Sequence, residues 1–254
     1  MKGIILAGGL GSRLYPLTHA TNKHLLPVFD RPMVHYPIAT LVQAGITEVI
    51  IVTGGPYAGD FIRVLKNGKE LGLKHLEYAY QEHEGGIAEA LGLCHDFADG
   101  GNVAVILGDN TTDANTGPAV RSFDGGAMVF LRKVPDPERF GVPVFDPSDP
   151  QRIVAIEEKP AQPKSQYAVT GLYLYDYRVF EYIRTLKPSA RGELEITDVN
   201  NLYIQGGELR WTELGGFWTD AGTFESLFRA GAYWAQKVTG IPCEDFDSYM
   251  QSPR

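Results

Sequence analysis

A glycine-rich segment near the start of the chain, residues 8–13, carries groups that could bind phosphate. It follows a short apolar run over residues 4–7, whose length is typical of a buried strand. Gly8, Gly9 and Gly11 let the backbone turn tightly and present its N–H groups to phosphate oxygens. Arg13 adds a fork of donors that suits a phosphate group. The segment therefore predicts a polyphosphate-binding loop, although a tight turn that binds nothing would show the same pattern.

Two familiar phosphate motifs do not match this loop. A P-loop ends in Gly-Lys-Ser or Gly-Lys-Thr, and no lysine follows the glycines here. A Rossmann dinucleotide motif needs a third glycine at the position that Leu14 occupies. If the loop binds phosphate, it does so in another kind of site.

A lysine and two aspartates could complete a phosphate and metal site. Lys23 lies ten residues after Arg13, so both cations can face the glycine loop. Asp109 follows the apolar run over residues 103–107, the strongest strand candidate in the chain. Asp220 comes just before a helix predicted over residues 223–237. Carboxylates in these places suit Mg²⁺, although each could instead cap a turn or a helix N-terminus. The two aspartates are 111 residues apart, so only the fold can pair them.

Composition excludes several classes of function. The chain has 254 residues, a net charge of −8 and no long basic run, so nucleic acid is not expected as a partner. Cys94 and Cys243 form no Cys-x-x-Cys pair, and both are expected to be reduced thiols. The six histidines lack the spacing of metal ligands. No signal peptide or membrane-spanning run is present, so we expect a cytoplasmic protein without a membrane partner.

Strands and helices alternate through the first half of the chain. Residues 49–53 and 103–107 are continuous apolar runs, typical of central strands buried on both faces. Helices are predicted over residues 36–44, with Pro37 in the first turn, and over residues 87–97. This order predicts an α/β fold with a Rossmann-like, doubly wound, mostly parallel central sheet.

The second half is more mixed. A helix is predicted around Val179–Leu186, before Pro188, and a last helix over residues 223–237 with Thr223 as its N-cap. Strands are predicted over residues 127–134, 153–158 and 168–175. With no repeat or long linker, the chain is expected to form a single domain.

Seven ordered motifs give the chain a wider resemblance. It resembles the sugar-1-phosphate nucleotidylyltransferases over about residues 1–235, most closely the branch that transfers thymidylyl to glucose 1-phosphate. The motifs are Gly-Ile-Ile-Leu-Ala-Gly-Gly-Leu-Gly-Ser-Arg-Leu, Asn-Lys-His-Leu-Leu-Pro-Val-Phe-Asp-Arg-Pro-Met, Leu-Gly-Asp-Asn, Pro-Glu-Arg-Phe-Gly-Val, Glu-Glu-Lys-Pro, Ala-Val-Thr-Gly-Leu-Tyr and Arg-Gly-Glu-Leu-Glu-Ile-Thr-Asp-Val-Asn.

The resemblance implies a reaction and a set of site residues. A nucleoside triphosphate, dTTP or UTP, and a sugar 1-phosphate would give a nucleotide sugar and pyrophosphate, with Mg²⁺ held by Asp109 and Asp220. Residues 1–110 would form the nucleotide half, and residues 111–235 the sugar-phosphate half with a smaller antiparallel subsheet. The catalytic residues would be Arg13, Lys23 and Asp109. The nucleotide would be bound by Leu6, Gly8, Gly9, Gly11, Ser12, Arg13, Gln81 and Gly86. The sugar phosphate would be bound by Asn110, Gly141, Glu158, Lys159, Val169, Tyr173 and Arg191.

Three departures from the family pattern bear on regulation and specificity. The family usually has Gln where His24 stands, and residues 111–113 lack the usual aromatic side chains. The sequence also stops before the C-terminal helical segment of the long enzymes, so we expect feedback by competition at the active site. The exact sugar stays open, and a homo-oligomer is compatible with the resemblance.

Two other function classes compete with this interpretation. One is a catalytically silent relative that binds nucleotide sugars, although the expected cations and carboxylates are all present. The other is a metal-dependent glycosyltransferase. Such enzymes commonly carry Asp-x-Asp after a central strand, whereas this chain has Asp109 and Asp113, at a wider spacing.

Overall fold

A seven-stranded sheet organises residues 1–241, the part of the chain that this computed structural model describes. Its strands lie in the order β12-β8-β11-β6-β1-β4-β5, and β11 runs antiparallel to its two neighbours. These strands are β1 (Lys2–Ala7), β4 (Glu48–Gly54), β5 (His75–Gln81), β6 (Val103–Leu107), β8 (Ala127–Lys133), β11 (Tyr167–Tyr175) and β12 (Leu209–Glu213). The predicted Rossmann-like, mostly parallel sheet is confirmed.

Short antiparallel pairs surround this sheet. The pair β9 (Gly141–Asp146) and β10 (Asp149–Glu158) forms the smaller antiparallel subsheet that was expected. The other pairs are β2 (Pro27–Val28) with β3 (Arg31–Pro32), and β7 (Asn110–Thr112) with β13 (Trp218–Asp220).

Helices cover both faces of the sheet. In β4, Val49 and Ile51 face one apolar core, and Ile50 and Val52 face the other, so this continuous apolar strand is buried on both sides. The first core contains side chains of α1 (His35–Gln43), α2 (Ala58–Leu65) and α5 (Gly117–Ser122). The second contains side chains of α3 (Ile87–Gly92), α4 (His95–Ala98), α6 (Val179–Thr185) and α7 (Ile196–Gln205).

The predicted helix over residues 87–97 was wrong in one respect. It is two helices, α3 and α4, because the backbone leaves the helical conformation at Cys94 (φ −94°, ψ 8°), two residues after Gly92. Glycine is a poor helix former, and here it also lets Ile183 approach, since a Cβ on Gly92 would lie 3.3 Å from Ile183 Cγ2. The break leaves Phe97 buried in the second core.

The last helix, α8 (Phe224–Thr239), was predicted correctly together with its cap. The Thr223 side chain accepts from the Ser226 N–H, and the Ser226 hydroxyl accepts from the Thr223 N–H, which forms a capping box. Tyr36 of α1 packs against Trp234 of α8, and Val28 of β2 belongs to the same small apolar cluster, so this cluster attaches α8 to α1 and β2.

Two smaller findings complete the fold. None of the helices within residues 1–241 has the length and apolar character needed to cross a bilayer. Cys94 is a buried free thiol, as expected, whereas Cys243 lies outside the described residues.

The strand order creates a crevice beside β1. The chain passes from β1 to β4 on one side of β1 and later returns to β6 on its other side, so the strand order reverses at β1. Leu6 of β1 lies opposite Leu107 of β6. The segments that follow these two strands therefore meet at a switch point, where ligands of α/β sheets bind.

Candidate active site

A cleft of about 380 Å³ opens at this switch point. Fifteen predicted site residues line it: Leu6, Gly8, Gly9, Arg13, Lys23, Gln81, Gly86, Asp109, Asn110, Gly141, Glu158, Lys159, Val169, Tyr173 and Asp220. Gly11, Ser12 and Arg191 are not part of its lining. The fold therefore brings together groups that are as much as 214 residues apart in the sequence.

Gly11 shapes the phosphate loop without lining the cleft. Its φ of 72° lies in the left-handed region, and it precedes a single turn of 3₁₀ helix, Ser12–Leu14. A Cβ at this position would lie 2.7 Å from Lys23 Cβ. Glycine thus allows the loop to pass close to the backbone that carries Lys23, while buried Leu14 anchors the turn.

Lys23 and Asp109 form the central ion pair of the cleft. Lys23 Nζ lies 2.6 Å from Asp109 Oδ2, and the two side chains are only 12% and 13% exposed. Burial by itself would raise the pKa of the Asp109 carboxyl, but the Lys23 charge and the hydrogen bonds from Lys23 and Asn110 together hold that pKa well below its usual range. Asp109 is therefore a carboxylate at neutral pH.

The Lys23 segment is fixed by its neighbours. Asn22 caps the short turn Lys23–Leu25, because its Oδ1 accepts from the His24 N–H at 3.0 Å. His24 is buried, with its ring against Gly108. Burial, and next the Lys23 charge, lower its pKa to about 3, so the imidazole, which also lines the cleft, is neutral.

The second aspartate reaches the site through strand pairing. Asp220 of β13 lies opposite Asn110 of β7, and the Ala221 N–H donates to the Asp109 carbonyl at 2.7 Å. Burial and, next, the nearby Asp109 charge together raise the pKa of Asp220 to about 6, against the opposing charge of Arg139. These two carboxylates therefore face one another closely enough to repel.

Gly222 leaves an open space where three charged groups converge. A Cβ on Gly222 would lie 3.2 Å from Arg13 Nη2, 3.4 Å from Asp109 Oδ2 and 3.6 Å from Asp220 Oδ2. Two carboxylate oxygens beside a guanidinium are suited to a hard divalent cation together with phosphate oxygens. No cluster of three or more metal-ligating side chains occurs within residues 1–241, so substrate and water would supply the other ligands.

Asp113 does not join Asp109 at the site. Its carboxylate accepts from the Phe217 N–H at 2.7 Å and from Tyr233 and Lys237 of α8. These contacts tie α8 to the segment before β13. The alternative in which Asp109 and Asp113 form a glycosyltransferase metal pair therefore has no support in the geometry.

The far end of the cleft carries polar groups with fixed partners. Asn110 Oδ1 accepts from the Gly171 N–H at 3.0 Å and from Trp218 Nε1 at 2.7 Å. Glu158 Oε2 accepts from the Thr197 hydroxyl at 2.6 Å. Groups held in this way are suited to orienting hydroxyl groups of a ligand.

Arg191 lies behind this end rather than in it. Its guanidinium pairs with Glu195 at 2.8 Å and lies 3.5 Å from Glu158 Oε1.

Lys159, next to Glu158, lines the cleft and has a φ of 44°, an unusual conformation for a residue with a side chain. Burial raises the pKa of the Tyr173 phenol, which stays neutral.

A comparison with protein families shows to which family this chain belongs. A family model described as "Nucleotidyl transferase" matches residues 2–237. The chain belongs to the nucleotidyl transferase family. The resemblance drawn from the motifs is therefore confirmed, and the chain is an enzyme that acts on small-molecule substrates.

Several relatives within this family are similar over most of their length. A glucose-1-phosphate thymidylyltransferase from Neisseria gonorrhoeae is 47% identical over 247 residues, which cover 95% of this chain and 84% of the relative. One from Actinoplanes sp. is 48% identical over 238 residues, covering 92% and 78%. Enzymes of this family generally use a divalent metal.

Solved structures show the same nucleotidyl transferase fold. A candidate glucose-1-phosphate thymidylyltransferase from Bacillus anthracis, crystallised with sucrose, is 53% identical, with a TM-score of 0.86 over 92% of this chain and 94% of that one. A UDP-glucose pyrophosphorylase bound to UDP-glucose has a TM-score of 0.79 at 22% identity, over 93% and 98% of the two chains, and supports the fold alone.

Some residues that line this nucleotidyl transferase cleft were not predicted from the sequence. Arg139 lines the cleft and lies 3.0 Å from Asp220, although its motif was recognised without a role for it. Thr197 was likewise inside a recognised motif. Glu193 and Asn200 also line the cleft and belong to the same motif as Thr197. Glu84 and Trp218 line it as well, and no local pattern distinguished these two from surface or core residues.

Proposed function

We propose that this protein transfers the thymidylyl group of dTTP to glucose 1-phosphate and releases pyrophosphate, with Mg²⁺ as the metal. The observation that carries the proposal is the convergence of Arg13, Lys23, Asp109 and Asp220 on one space beside the phosphate loop. Relatives at 47% and 48% identity that bear this activity support the choice of substrates.

The nucleophile needs little activation by the protein. The second pKa of a phosphate monoester is about 6, so glucose 1-phosphate is mostly a dianion at neutral pH. One of its oxygens attacks the α-phosphorus of dTTP in line, a new P–O bond forms, and the bond to the β-phosphate breaks. No proton has to be removed, so the protein mainly aligns two anions that repel each other.

Charge neutralisation falls to the residues around the phosphate loop. Backbone N–H groups of residues 8–11 and Arg13 hold the triphosphate. Lys23 reaches the α-phosphate, where charge changes most during the reaction. Asp109 and Asp220 would hold Mg²⁺, which would supply Lewis-acid stabilisation of phosphate oxygens.

The ion pair between Lys23 and Asp109 holds both side chains in the charge state and position that the reaction needs. The ammonium keeps Asp109 ionised in a buried place, and the carboxylate keeps Lys23 directed into the cleft. When substrates and metal bind, their charges replace the contact between Lys23 and Asp109. Both side chains are already in position, so little rearrangement is needed. Such preorganisation is a large source of catalysis.

The two ends of the cleft bind the remaining parts of the substrates. Gln81, with Gly86 and Leu6, faces the pyrimidine at one end. The sugar phosphate is bound at the other end by Asn110, Gly141, Glu158, Lys159, Val169 and Tyr173. Arg191 supports Glu158 and assists at the sugar phosphate.

The same proposal extends to domain organisation and setting. Residues 1–110 supply the nucleotide half and residues 111–235 the sugar-phosphate half of one domain, and both cores contain side chains from each half. We place the enzyme in the cytoplasm, where its charged substrates occur. A homo-oligomer is compatible with this function.

A grid of substrates tests the proposal. Pyrophosphate release is measured with each common nucleoside triphosphate against several sugar 1-phosphates in the presence of Mg²⁺. The proposal predicts the highest kcat/KM with dTTP and glucose 1-phosphate, and formation of a nucleotide sugar in equal amount. Release of a nucleoside diphosphate instead, or no product with any pair, would contradict it.

A further inference from the structure

The side-chain amide of Gln81 is held in one orientation. Its Nε2 donates to the Gly86 carbonyl and to Glu89 Oε1, both at 3.4 Å. Its Oε1 lies on the opposite side, only 2.5 Å from the place a Cβ would occupy on Gly8. Gln81 is 8% exposed, so its amide has little space in which to turn.

The part of Gln81 that remains available in the cleft is therefore an acceptor. Within residues 1–241 no donor hydrogen-bonds to Gln81 Oε1, whereas both neighbours of Nε2 are acceptors. Gly86 presents a carbonyl, which cannot reverse its role. Glu89 presents a carboxylate, which in its ionised form has no hydrogen to donate.

This orientation of the Gln81 amide favours thymine and uracil over cytosine. Thymine and uracil carry an N–H donor at N3, which an amide oxygen can accept. Cytosine carries an acceptor at N3, which would face that oxygen without a hydrogen. To suit cytosine, the Gln81 amide would have to flip, and its oxygen would then face the Gly86 carbonyl and the negative Glu89 carboxylate.

We propose that Glu89 is a positioning residue that sets the choice of pyrimidine by locking the Gln81 amide. The inference rests on the proposed function, in which Gln81 faces the base. Glu89 lies in the first turn of α3 and lines no part of the cleft itself. Its effect on specificity is exerted through Gln81 alone.

Gly85 makes room for this lock. A Cβ on Gly85 would lie 1.3 Å from Glu89 Oε2, so any larger residue would displace the carboxylate. Gly85→Ala therefore disturbs the lock without removing the charge of Glu89. It provides a second variant that tests the same contact by a different physical change.

The experiment compares kcat/KM for dTTP, UTP and CTP, with glucose 1-phosphate, in the full-length enzyme. Glu89→Gln removes the charge and offers either a donor or an acceptor, so Gln81 can flip. Because the flipped amide then no longer leaves a buried polar group unpaired, we expect the preference for dTTP over CTP to fall by about tenfold or more. Gly85→Ala should reduce it in the same direction, and Glu89→Asp should restore part of it.

The control is Glu82→Gln, which removes an exposed carboxylate from the same loop. It should leave the ratio of dTTP to CTP unchanged. If Glu89→Gln lowers kcat/KM equally for all three nucleotides, Glu89 has a purely structural role and the inference is wrong. An unchanged ratio in Glu89→Gln and Gly85→Ala would also overturn it.

The wild-type enzyme separates this inference from the proposed function. If the wild type uses CTP as well as dTTP, Gln81 does not select the base, and the base-binding part of the proposed function fails together with the lock. If the wild type discriminates and Gln81→Ala abolishes the discrimination, the proposed role of Gln81 stands. The Glu89 variants then decide the inference alone.

Discussion

Replacing Lys23 by methionine tests the central ion pair. The substitution keeps most of the length of the side chain and removes its charge. The Lys23 and Asp109 side chains are 12% and 13% exposed, so water screens their 2.6 Å contact only weakly. Removing one partner of a buried pair costs about 3–5 kcal/mol of stability, because the other charge stays buried without compensation.

The pH dependence of this loss follows from the charges. In the wild type, Lys23 holds the pKa of Asp109 below its ordinary value, so the stability contributed by Asp109 is present above that ordinary value and lost as the pH falls below it. Without Lys23, burial should raise the pKa of Asp109 above its ordinary value. The cost of the substitution should therefore be larger at pH 8 than at pH 5.

Urea unfolding and steady-state kinetics measure the two consequences. We expect a lower free energy of unfolding, partly restored by Mg²⁺, and a fall in kcat of about 10²-fold or more with a smaller change in KM. Lys66→Met is a matched control, because Lys66 is 65% exposed and pairs with Glu70 at the surface. Unchanged stability, or a rise in KM alone, would refute the role given to Lys23.

Three further substitutions or reactions have defined outcomes. Gly222→Ala should raise the Mg²⁺ concentration needed for half-maximal activity, because the new methyl group would lie 3.2 Å from Arg13 Nη2; an unchanged Mg²⁺ titration would contradict this. Thr223→Ala should cost about 1 kcal/mol of stability through loss of the N-cap, measured by urea unfolding, whereas no loss would mean that the cap contributes nothing. Burial raises the pKa of the Cys94 thiol, so peptide mapping after iodoacetamide treatment should find Cys94 unmodified in the native protein and modified in urea. Rapid native labelling would contradict its buried position.

Local signals predicted the parts of the site that lie next to strong strands. The glycine loop follows β1 and Asp109 follows β6, and both strands are apolar runs whose burial the sequence shows directly. The N-cap at Thr223 was equally local. Such features depend on neighbouring residues, which a single sequence displays.

Features that depend on distant pairing could not be predicted in this way. Asp220 lies near Asp109 because β13 pairs with β7, and no pattern within either segment predicts that pairing. The edge strand β5 was missed because its side chains are mostly half-exposed or exposed, so it lacks a continuous apolar run. The lock on Gln81 likewise needs the exact positions of Gly85 and Glu89 on the turn into α3.

The fate of oxygen atoms tests the account most directly. Glucose 1-phosphate labelled with ¹⁸O on all four phosphate oxygens is incubated with the enzyme, dTTP and Mg²⁺, and the products are followed by ³¹P NMR. Attack of the sugar phosphate on the α-phosphorus predicts that all four labels appear in the nucleotide sugar, one of them bridging the two phosphates. Pyrophosphate should contain no label. Label in pyrophosphate or in free phosphate would show that a different bond breaks, and would contradict the account.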